Sequence, residues 1–453
     1  MDENTAESLL SPLAEAPTYH IRTFGCQMNV HDSERMAGIL AESGYRSTDD
    51  PEKASLIIVN TCTVRDKADN KALSDLGRLR LLKKGEGEKI LAVTGCMAER
   101  EQERLHRMMP EIDLVAGPAQ VRNLLPMIDR LRTEKRFQLG RDFDLPEMTT
   151  PPAVRPPGVT ALVTVQEGCD KACSYCVVPR TRGPERSRPI GAIISEVRTL
   201  VQEGYREVTL LGQNVNGYGK NAPEGEGFAD LLLALDAVEG LSRIRFTTSH
   251  PSDLDLPTIK AMACSSKVMP HLHLPVQSGS DRMLSLMDRG YTLEEYREKV
   301  RHLREAIPHV ALTTDLIVGF CEESEEDFQQ TLEVVSEFRF DGAFCFIYSP
   351  RPGTPAFERA GMPDRAVSLD RFRRLDELMS TLVLEKNRGR IGSTEEILVE
   401  RVDPEARTFS GRTPHFRTVR CRLSETQPFP LLGDIVSVRI DSCSKAGLAG
   451  VSA

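Results

Sequence analysis

Three closely spaced cysteines carry the most specific chemical signal in this sequence. Cys169, Cys173 and Cys176 form a CxxxCxxC run in the stretch GCDKACSYC. Three thiolates at this spacing can hold three corners of a 4Fe-4S cube, which leaves one iron without a protein ligand and open to a small molecule. Zinc is the competing metal, but structural zinc takes four ligands, and no fourth Cys or His lies nearby. The spacing therefore favours an iron-sulfur cluster.

A second set of three cysteines is spread through the first hundred residues. Cys26, Cys62 and Cys96 are 36 and 34 residues apart, and each follows an apolar run, in TFGC, VNTC and VTGC. If these runs are parallel strands, their carboxyl ends meet at one edge of a sheet, where ligands of open α/β sheets bind. A second three-thiolate cluster site would result. The alternative is that they are buried structural cysteines, which are common.

The sequence pattern of the N-terminal region predicts such a sheet. Between residue 18 and about 130, short apolar runs alternate with helical periodicity, which predicts a parallel α/β sheet. The predicted strands are Tyr19 to Phe24, Leu56 to Asn60, Ile90 to Thr94 and Ile112 to Ala116. We expect a first domain over residues 18–135 and a proline-rich linker over residues 136–158.

The alternation restarts after the linker. Six further apolar runs are predicted strands: Leu162 to Val165, Val208 to Leu211, Arg243 to Thr247, Leu272 to Val276, Ala311 to Val318 and Ala343 to Tyr348. Six βα units over residues 159–390 predict a partial barrel of the TIM type, with its chemistry at the carboxyl ends of the strands. Short strand-like runs between Gly and Pro turns predict a small all-β barrel over residues 391–453.

Length, composition and charge restrict the class of protein. At 453 residues the chain has room for about three domains. It has no apolar run of membrane-spanning length, so we expect it to be soluble and not membrane-bound. No Lys or Arg precedes Arg22, which fits neither a secretory nor a transit signal. In the expected cytoplasmic location thiols stay reduced, so clustered cysteines are interpreted first as metal ligands.

Longer motifs give a resemblance to a known family. The chain resembles the radical-SAM tRNA methylthiotransferases of the MiaB type from Tyr19 to about Gly450. The matching stretches are TFGCQMNVHDSERM, NTCTVRDKADNKALSDLGRLR, TGCMAER, VTVQEGCDKACSYCVVPRTRGPERSR, LLGQNVNGYG, RFTTSHPSD, HLPVQSGSDRMLSLMDRGYT and GRTPHFRTV.

This resemblance implies a division of labour between the two cysteine sets. Cys169, Cys173 and Cys176 would ligate the 4Fe-4S cluster that binds S-adenosylmethionine. Tyr175 is similar to the aromatic position beside the nucleoside of that cofactor, although it could be an ordinary half-buried tyrosine. Cys26, Cys62 and Cys96 would hold an auxiliary 4Fe-4S cluster that carries the sulfur to be transferred.

The resemblance also implies a substrate and a reaction. The target is carbon 2 of N6-isopentenyladenosine next to the anticodon of tRNA, and two molecules of S-adenosylmethionine are consumed. This ring C–H is neither acidic nor strongly electrophilic, so radical chemistry is required. An electron donor and a sulfur source are implied as partners. We expect a monomer.

Polar residues after the predicted barrel strands are the expected cofactor and substrate contacts. Gln213 and Asn214 follow the second of these strands, and we assign them to S-adenosylmethionine binding. Further residues at such ends are Asn216, Ser249, His250, Gln277 and Ser278. His250 could equally be a hydrogen-bonded structural histidine.

Arginines in the last domain, which resembles the TRAM domain, are the expected RNA contacts. Between Arg401 and Arg422 there are six arginines against two acidic residues, and such a patch can attract phosphate within an acidic protein. We assign RNA binding to Arg412, Arg417 and Arg420. Aromatic neighbours that could stack on unpaired bases, or else fill the barrel core, are Phe409, His415 and Phe416. A second patch is expected at Arg180, Arg182, Arg186 and Arg188.

The chain departs from the family after its fifth barrel strand. The family commonly reads VGFPGET there, whereas this chain reads VGFCEES over residues 318–324. The geometry of that loop is therefore not carried over, and Cys321 and Glu322 add a thiol and a carboxylate near the expected active-site face.

Two alternative functions remain open from the sequence. One is methylthiolation of a ribosomal-protein aspartate or of threonylcarbamoyl-adenosine in tRNA. Gln27-Met28-Asn29 and Val64-Arg65 argue against this alternative, because they resemble the enzymes that act on isopentenyladenosine in tRNA. The other is a non-catalytic iron-sulfur protein that binds RNA or senses redox state, against which the set of barrel motifs argues.

Overall fold

The structure is a computed structural model that describes residues 16–63, 66–84, 89–140, 153–220 and 225–452. Within these ranges the chain divides into two compact units. The first comprises residues 16–140, 153–155 and 180–182, and the second comprises residues 156–179 and 183–452. None of the helices in the described ranges combines the length and apolar character needed to cross a membrane.

The first unit contains a six-stranded parallel sheet, in the order β2-β1-β3-β4-β5-β6. Its strands are β1 (Thr18–Thr23), β2 (Arg46–Ser47), β3 (Leu56–Thr61), β4 (Ile90–Gly95), β5 (Leu114–Ala116) and β6 (Gln138–Gly140). Its helices are α1 (Gln27–Glu42), α2 (Asp66–Leu79), α3 (Cys96–Glu101), α4 (Glu103–Met108) and α5 (Leu124–Glu134), with 3-10 turns at Arg80–Lys84 and Pro118–Asn123.

The centre of this sheet is covered on both faces. Every residue of β3 and β4 is buried, which is the pattern of parallel strands with helices on both sides. Leu56 and Ile58 pack into one core cluster and Ile57 and Val59 into another. The predicted parallel sheet is thus confirmed.

The second unit begins with βα units. Its strands up to residue 347 are β7 (Thr160–Thr164), β8 (Gln166–Glu167), β9 (Arg186–Ser187), β10 (Glu207–Leu211), β11 (Arg243–Phe246), β12 (His271–His273), β13 (Ala311–Val318) and β14 (Gly342–Ile347). The helices are α6 (Val178–Arg182, whose last three residues belong to the first unit), α7 (Ile190–Gln202), α8 (Phe228–Asp236), α9 (Leu256–Cys264), α10 (Asp281–Leu286), α11 (Leu293–Ala306), α12 (Glu325–Phe338) and α13 (Arg365–Arg388).

The six long strands form a partial barrel, as predicted. They pair in parallel as β11-β10-β7 and β12-β13-β14, and a bridge between Ile244 and Val268 connects the two halves. Within the described part of the chain no ladder joins β7 to β14, so the barrel is open between these strands. One large apolar core lies between the outer face of the strands and the helices.

The last segment forms a closed five-stranded barrel, which confirms the predicted small β domain. Its strands are β15 (Thr394–Asp403), β16 (Thr408–Arg412), β17 (Thr418–Arg422), β18 (Ile435–Ser444) and β19 (Gly447–Ser452). It packs against the partial barrel through its Thr413–Arg417 loop, where Arg245 donates hydrogen bonds to the carbonyls of Thr413 at 2.8 Å and Pro414 at 2.9 Å.

Candidate active site

The three cysteines of the first unit lie at the ends of neighbouring strands. Cys26 follows β1, Cys62 directly follows β3, and Cys96 is the first residue after β4. Since β1, β3 and β4 are adjacent and parallel, their carboxyl ends share one edge of the sheet. The strand order thus brings the three thiols to one edge.

Two glycines allow the close approach of these strand ends. Gly25 and Gly95 have φ angles of 148° and 91°, a backbone region that favours glycine. A Cβ atom on Gly25 would lie 2.7 Å from the Cβ of Cys62, and one on Gly95 would lie 2.2 Å from the carbonyl oxygen of Thr61. Side chains at these positions would push the cysteine-bearing segments apart.

A buried arginine lies beside these thiols. The Arg182 guanidinium donates a hydrogen bond to Asp32 Oδ2 at 2.7 Å, and both side chains are buried. A hydrogen bond with Cys62 and the charge of Arg182 lower the pKa of Cys26 to about 5. Burial raises the pKa of Cys96, partly offset by Arg182. This environment therefore favours the thiolate form of Cys26, which is the form in which a cysteine can ligate a metal.

The CxxxCxxC loop is held in a fixed shape in the second unit. Cys169 and Cys173 are buried and Cys176 is half-buried. Between them, Ser174 donates its backbone N–H to the Met287 carbonyl at 2.9 Å and its hydroxyl to the Leu286 carbonyl at 2.8 Å. The loop is therefore anchored to the end of α10.

Burial dominates the electrostatics of this loop. It raises the pKa of Cys169 to about 11 and that of Cys176 to about 12. Buried thiols of this kind keep their protons until a cation compensates the charge of the thiolate, so ligand binding here is coupled to proton release.

Arg289 is a buried cation that contacts this loop, and it was not identified from the sequence. Its side chain is buried and donates hydrogen bonds to Cys173 Sγ at 3.2 Å, to the Tyr175 hydroxyl at 3.4 Å and to the Pro275 carbonyl at 3.0 Å. His250 Nε2 lies 4.0 Å from Cys173 Sγ, and burial lowers the pKa of His250, so this imidazole is neutral at physiological pH.

The polar residues predicted at the strand ends form a layer, and within it Gln213 and Asn214 share a hydrogen-bonded network with Gln166 and Asp253. Gln166 Oε1 accepts hydrogen bonds from the backbone of Gln213 at 2.9 Å and of Asn214 at 3.2 Å. Asn214 Nδ2 donates to Asp253 Oδ2 at 2.7 Å. Although burial opposes it, hydrogen bonds from Lys171, Lys220 and Asn214 lower the pKa of Asp253 below its usual range.

Several buried polar atoms in this layer have no hydrogen-bond partner among the described residues. They are Gln213 Nε2, Asn214 Oδ1, Ser249 Oγ and Gln277 Oε1. Buried polar groups are normally paired, so these four atoms are available to a polar ligand. Thr248 and Gln277 also have φ angles of 67° and 71°, a strained conformation for such residues that is typical of functional sites.

These features fit the cofactor that the sequence suggests. The loop offers three thiols, and the neighbouring layer offers unpaired donors and acceptors for a polar small molecule such as S-adenosylmethionine. Across the ranges that the structure covers, no three His, Cys, Asp or Glu side chains lie close enough to hold a single metal ion. In a 4Fe-4S cube each thiolate binds a different iron, so a cube and a single ion require different spacings.

The predicted arginine patch beside the cysteine loop is wrong for two of its members. Arg182 is buried against Asp32, and Arg188 is buried with a 2.8 Å ion pair to Glu196. Arg186 pairs with Glu167 at 3.3 Å, and Arg180 is exposed. Three of these arginines are therefore paired with carboxylates of the protein, and composition alone does not show that their charges are unavailable to phosphate.

The C-terminal arginines likewise include some that pair with carboxylates and some that are exposed. Arg417 is nearly buried and pairs with Asp341 at 2.6 Å, and Arg412 is partly exposed and pairs with Glu400 at 3.1 Å. Arg420 lies exposed on the outer face of β17. The possible base-stacking role is wrong for Phe409, which is 2% exposed in the barrel core, and Phe416 stacks on His271 with a centroid distance of 5.0 Å.

Comparisons with known proteins agree with this fold. Residues 18–117 match the Uncharacterized protein family UPF0004, and residues 163–335 match the Radical SAM superfamily. Among solved structures, the radical S-adenosylmethionine methyltransferase TsrM from Kitasatospora setae gives a TM-score of 0.55 at 13% identity, covering 86% of this chain and 79% of that one. The partial barrel and its cysteine loop thus define a radical SAM enzyme, a class that uses a 4Fe-4S cluster and S-adenosylmethionine.

More similar relatives narrow this class. The chain is 43% identical over 451 residues to tRNA-2-methylthio-N(6)-dimethylallyladenosine synthase of Acidothermus cellulolyticus, covering 97% of this chain and 89% of the relative. It is 45% identical over 426 residues to the synthase of the same name from Magnetococcus marinus, covering 93% and 96%. The chain belongs to the family of tRNA-2-methylthio-N(6)-dimethylallyladenosine synthases.

Proposed function

We propose that this enzyme transfers a methylthio group to carbon 2 of N6-isopentenyladenosine next to the anticodon of tRNA. Its family membership supports this substrate over the ribosomal-protein aspartate and threonylcarbamoyl-adenosine alternatives. We propose that it acts in the cytoplasm as a monomer, with an electron donor and a sulfur source as partners. Of the residues whose sequence favours this substrate, residues 27–29 begin α1, and Val64 and Arg65 lie outside the described residues.

The two cysteine sets are proposed to hold two clusters. Cys169, Cys173 and Cys176 would hold the cluster that works with S-adenosylmethionine, and Cys26, Cys62 and Cys96 would hold the auxiliary cluster. When bound, these groups supply the one-electron chemistry that a ring C–H bond requires, together with the sulfur and the methyl group. The observation that carries the proposal is that one set of three cysteines lies at the carboxyl ends of β1, β3 and β4, and the other lies in the single loop that follows β7 and β8.

The protein's own residues would bind and orient the reactants. Gln213 Nε2 and Asn214 Oδ1 are buried and accept or donate no hydrogen bond within the described ranges of the chain, so we assign them to the cofactor's polar groups. Tyr175 packs near Phe320 with a centroid distance of 6.4 Å and would support the nucleoside. Arg289 donates to Cys173 and Tyr175 and would thereby orient the loop.

The arginines of the closed barrel would bind the RNA backbone. Arg420 and Arg422 are exposed on β17, and Arg412 is partly exposed. In the strand register both Arg422 and Arg439 are opposite Val451 of β19, so these arginines form a row across the outer surface. Such a row suits phosphates, which carry no sequence information but position the substrate. Arg417 is held by Asp341 and would stabilise the barrel.

The domain division is proposed as residues 18–135, 159–390 and 391–453 with a linker between the first two. Residues 141–152 of that linker lie outside the described ranges, and β6 at Gln138–Gly140 extends the first domain's sheet beyond residue 135. The first domain would thus include this strand.

Mass spectrometry of tRNA from cells that lack the protein tests the proposed function. We expect 2-methylthio-N6-isopentenyladenosine to be lost, to return with the wild-type protein, and to stay absent with Cys169→Ala. Cys264→Ala is the matched control, because Cys264 is an exposed cysteine of α9 outside both sets, and it should restore the nucleoside. Persistence of the modified nucleoside in the deletion strain would contradict the assignment.

A further inference from the structure

The inner face of the partial barrel carries an unusual set of side chains on β12, β13 and β14. Alternate residues such as Leu272, Leu312 and Leu316 point outward into the core beneath the helices. Because side chains alternate along a strand, the intervening residues point into the barrel. These inward residues include His273, Asp315 and Phe344.

Phe344 is an exposed aromatic ring on this inner face. Its neighbours along β14, Ala343 and Cys345, pack against the outer core, yet Phe344 itself is 56% exposed. A phenyl ring that is more than half exposed presents an apolar surface on which a flat ring can stack.

A polar pair stands next to this ring. The His273 and Phe344 rings meet edge to face at a centroid distance of 6.1 Å. His273 Nδ1 is 3.0 Å from the Thr313 hydroxyl, and its Nε2 is 3.4 Å from Asp315 Oδ1. The histidine is thus fixed between two partners, and Asp315 remains partly exposed to the barrel interior.

The position of Phe344 along its strand separates it from both ends of the barrel. At the start of β14, Asp341 pairs with Arg417 of the closed barrel, and nearby His271 is covered by Phe416. Toward the other end, Phe346 packs into the cluster that contains Tyr175 of the cysteine loop. Phe344 therefore lies between two regions. One is the floor of the partial barrel, where Asp341 and His271 contact the closed barrel, and the other is the cysteine loop.

We propose that Phe344, His273 and Asp315 form the platform on which the target adenine of the RNA is held. A ring system stacks on an exposed aromatic side chain, and a carboxylate accepts a hydrogen bond from an amino group on the base edge. This inference rests on the proposed function and extends it to the residues that position the reacting base. S-adenosylmethionine also contains adenine, but its assigned contacts are at the strand ends.

Binding of the cluster-loaded enzyme to two RNAs tests this platform. One is an anticodon stem-loop with N6-isopentenyladenosine at the target position, and the other is the same stem-loop with an abasic site there. We expect Phe344→Ala to bind the first RNA roughly tenfold more weakly, as expected for loss of one base stack, and the abasic RNA as tightly as wild type. Phe344→Tyr should retain binding.

Phe357→Ala is the matched control, because Phe357 is a similarly exposed phenylalanine, at 47%, in a 3-10 turn that we do not assign to the platform. It should bind both RNAs like wild type. Binding of S-adenosylmethionine should be unchanged in Phe344→Ala, whereas a role at the cofactor predicts weaker cofactor binding.

The inference is overturned if Phe344→Ala binds both RNAs like wild type, weakens binding to both equally, or loses cofactor binding instead. It is also overturned if the wild type does not distinguish the two RNAs. These readouts need no turnover, so they decide the inference separately from the proposed function, which fails if the wild type forms no methylthio product from the modified RNA.

Discussion

Glu322 occupies a backbone conformation that is costly for its residue type. Its φ angle is 63°, in the left-handed region, where a Cβ atom costs about 1–2 kcal/mol. The family that this chain resembles commonly has glycine at this position. At the neighbouring position, where the family commonly has proline, Cys321 is fully buried in an apolar cluster with Phe320 and Tyr348. The altered loop thus contributes a core thiol and one strained, exposed carboxylate.

We expect Glu322→Gly to stabilise the protein by about 1 kcal/mol, because it removes this strain. The ion pair that would be lost, with Arg359 at 3.9 Å, is solvent-exposed and contributes little. Denaturant unfolding checks the prediction. Glu322→Ala deletes the same carboxylate but keeps a Cβ atom, so it should give no such gain, and equal stabilisation by both variants would refute the backbone explanation.

The sequence was sufficient to find the six cysteines but not the charged groups around them. Cysteine spacing is visible along the chain, whereas Arg182 and Arg289 act through partners, Asp32 and Cys173, that are distant in sequence. Arg289 lies in the run MDRGYT, and nothing local to that run indicates a thiol partner. Arg182 was even predicted as a surface residue, because composition does not reveal which arginines are buried by ion pairing.

Among the elements, long buried strands were predictable and short edge strands were not. β3 and β4 begin with continuous apolar runs, β13 is the longest strand of the partial barrel, and the predicted spans match all three within one residue. β2 has only two residues, both exposed, and β6 lies directly before the proline-rich segment. β16 includes Thr408, Ser410 and Gly411, so it lacks the apolar alternation that signals a strand.

The loop between β16 and β17 links the two barrels through a polar floor. Arg245 is buried with an ion pair to the buried Glu207 at 2.8 Å, and it lies over the Phe416 ring at 4.9 Å. Burial lowers the pKa of His271 to about 3, so this imidazole stacks on Phe416 in its neutral form. The floor is therefore a structural contact between the closed barrel and the βα strands.

We expect Arg245→Ala to destabilise this unit by about 3–5 kcal/mol, because it leaves the Glu207 carboxylate buried without its partner. The two hydrogen bonds to the Thr413–Arg417 loop would be lost as well. The shift of the urea unfolding transition measures this effect. Arg297→Ala breaks two exposed ion pairs, with Glu337 and Glu294, and should cost under about 1 kcal/mol. Similar shifts for the two variants would contradict a buried floor.

At the scale of the whole molecule, the net charge of −9 is less informative about the substrate than the position of individual charges. Arginines near the cysteine loop are largely paired within the fold, whereas Arg420, Arg422 and Arg439 remain exposed on the closed barrel. Phosphate attraction is local and screened within about 10 Å, so a negative net charge is compatible with the proposed binding of RNA to this row.

The placement of the two cysteine sets in separate compact units predicts independent metal loading. Cys26, Cys62 and Cys96 belong to the first unit, and Cys169, Cys173 and Cys176 belong to the second. Anaerobically reconstituted wild type should therefore contain about eight irons per chain, and Cys26→Ala and Cys169→Ala about four each. Iron analysis with electron paramagnetic resonance of the reduced protein measures both. Cys264→Ala should keep about eight, because its cysteine belongs to neither set. Retention of about eight irons by Cys26→Ala would refute the auxiliary site, and loss of all iron in either variant would show that the two sites load together.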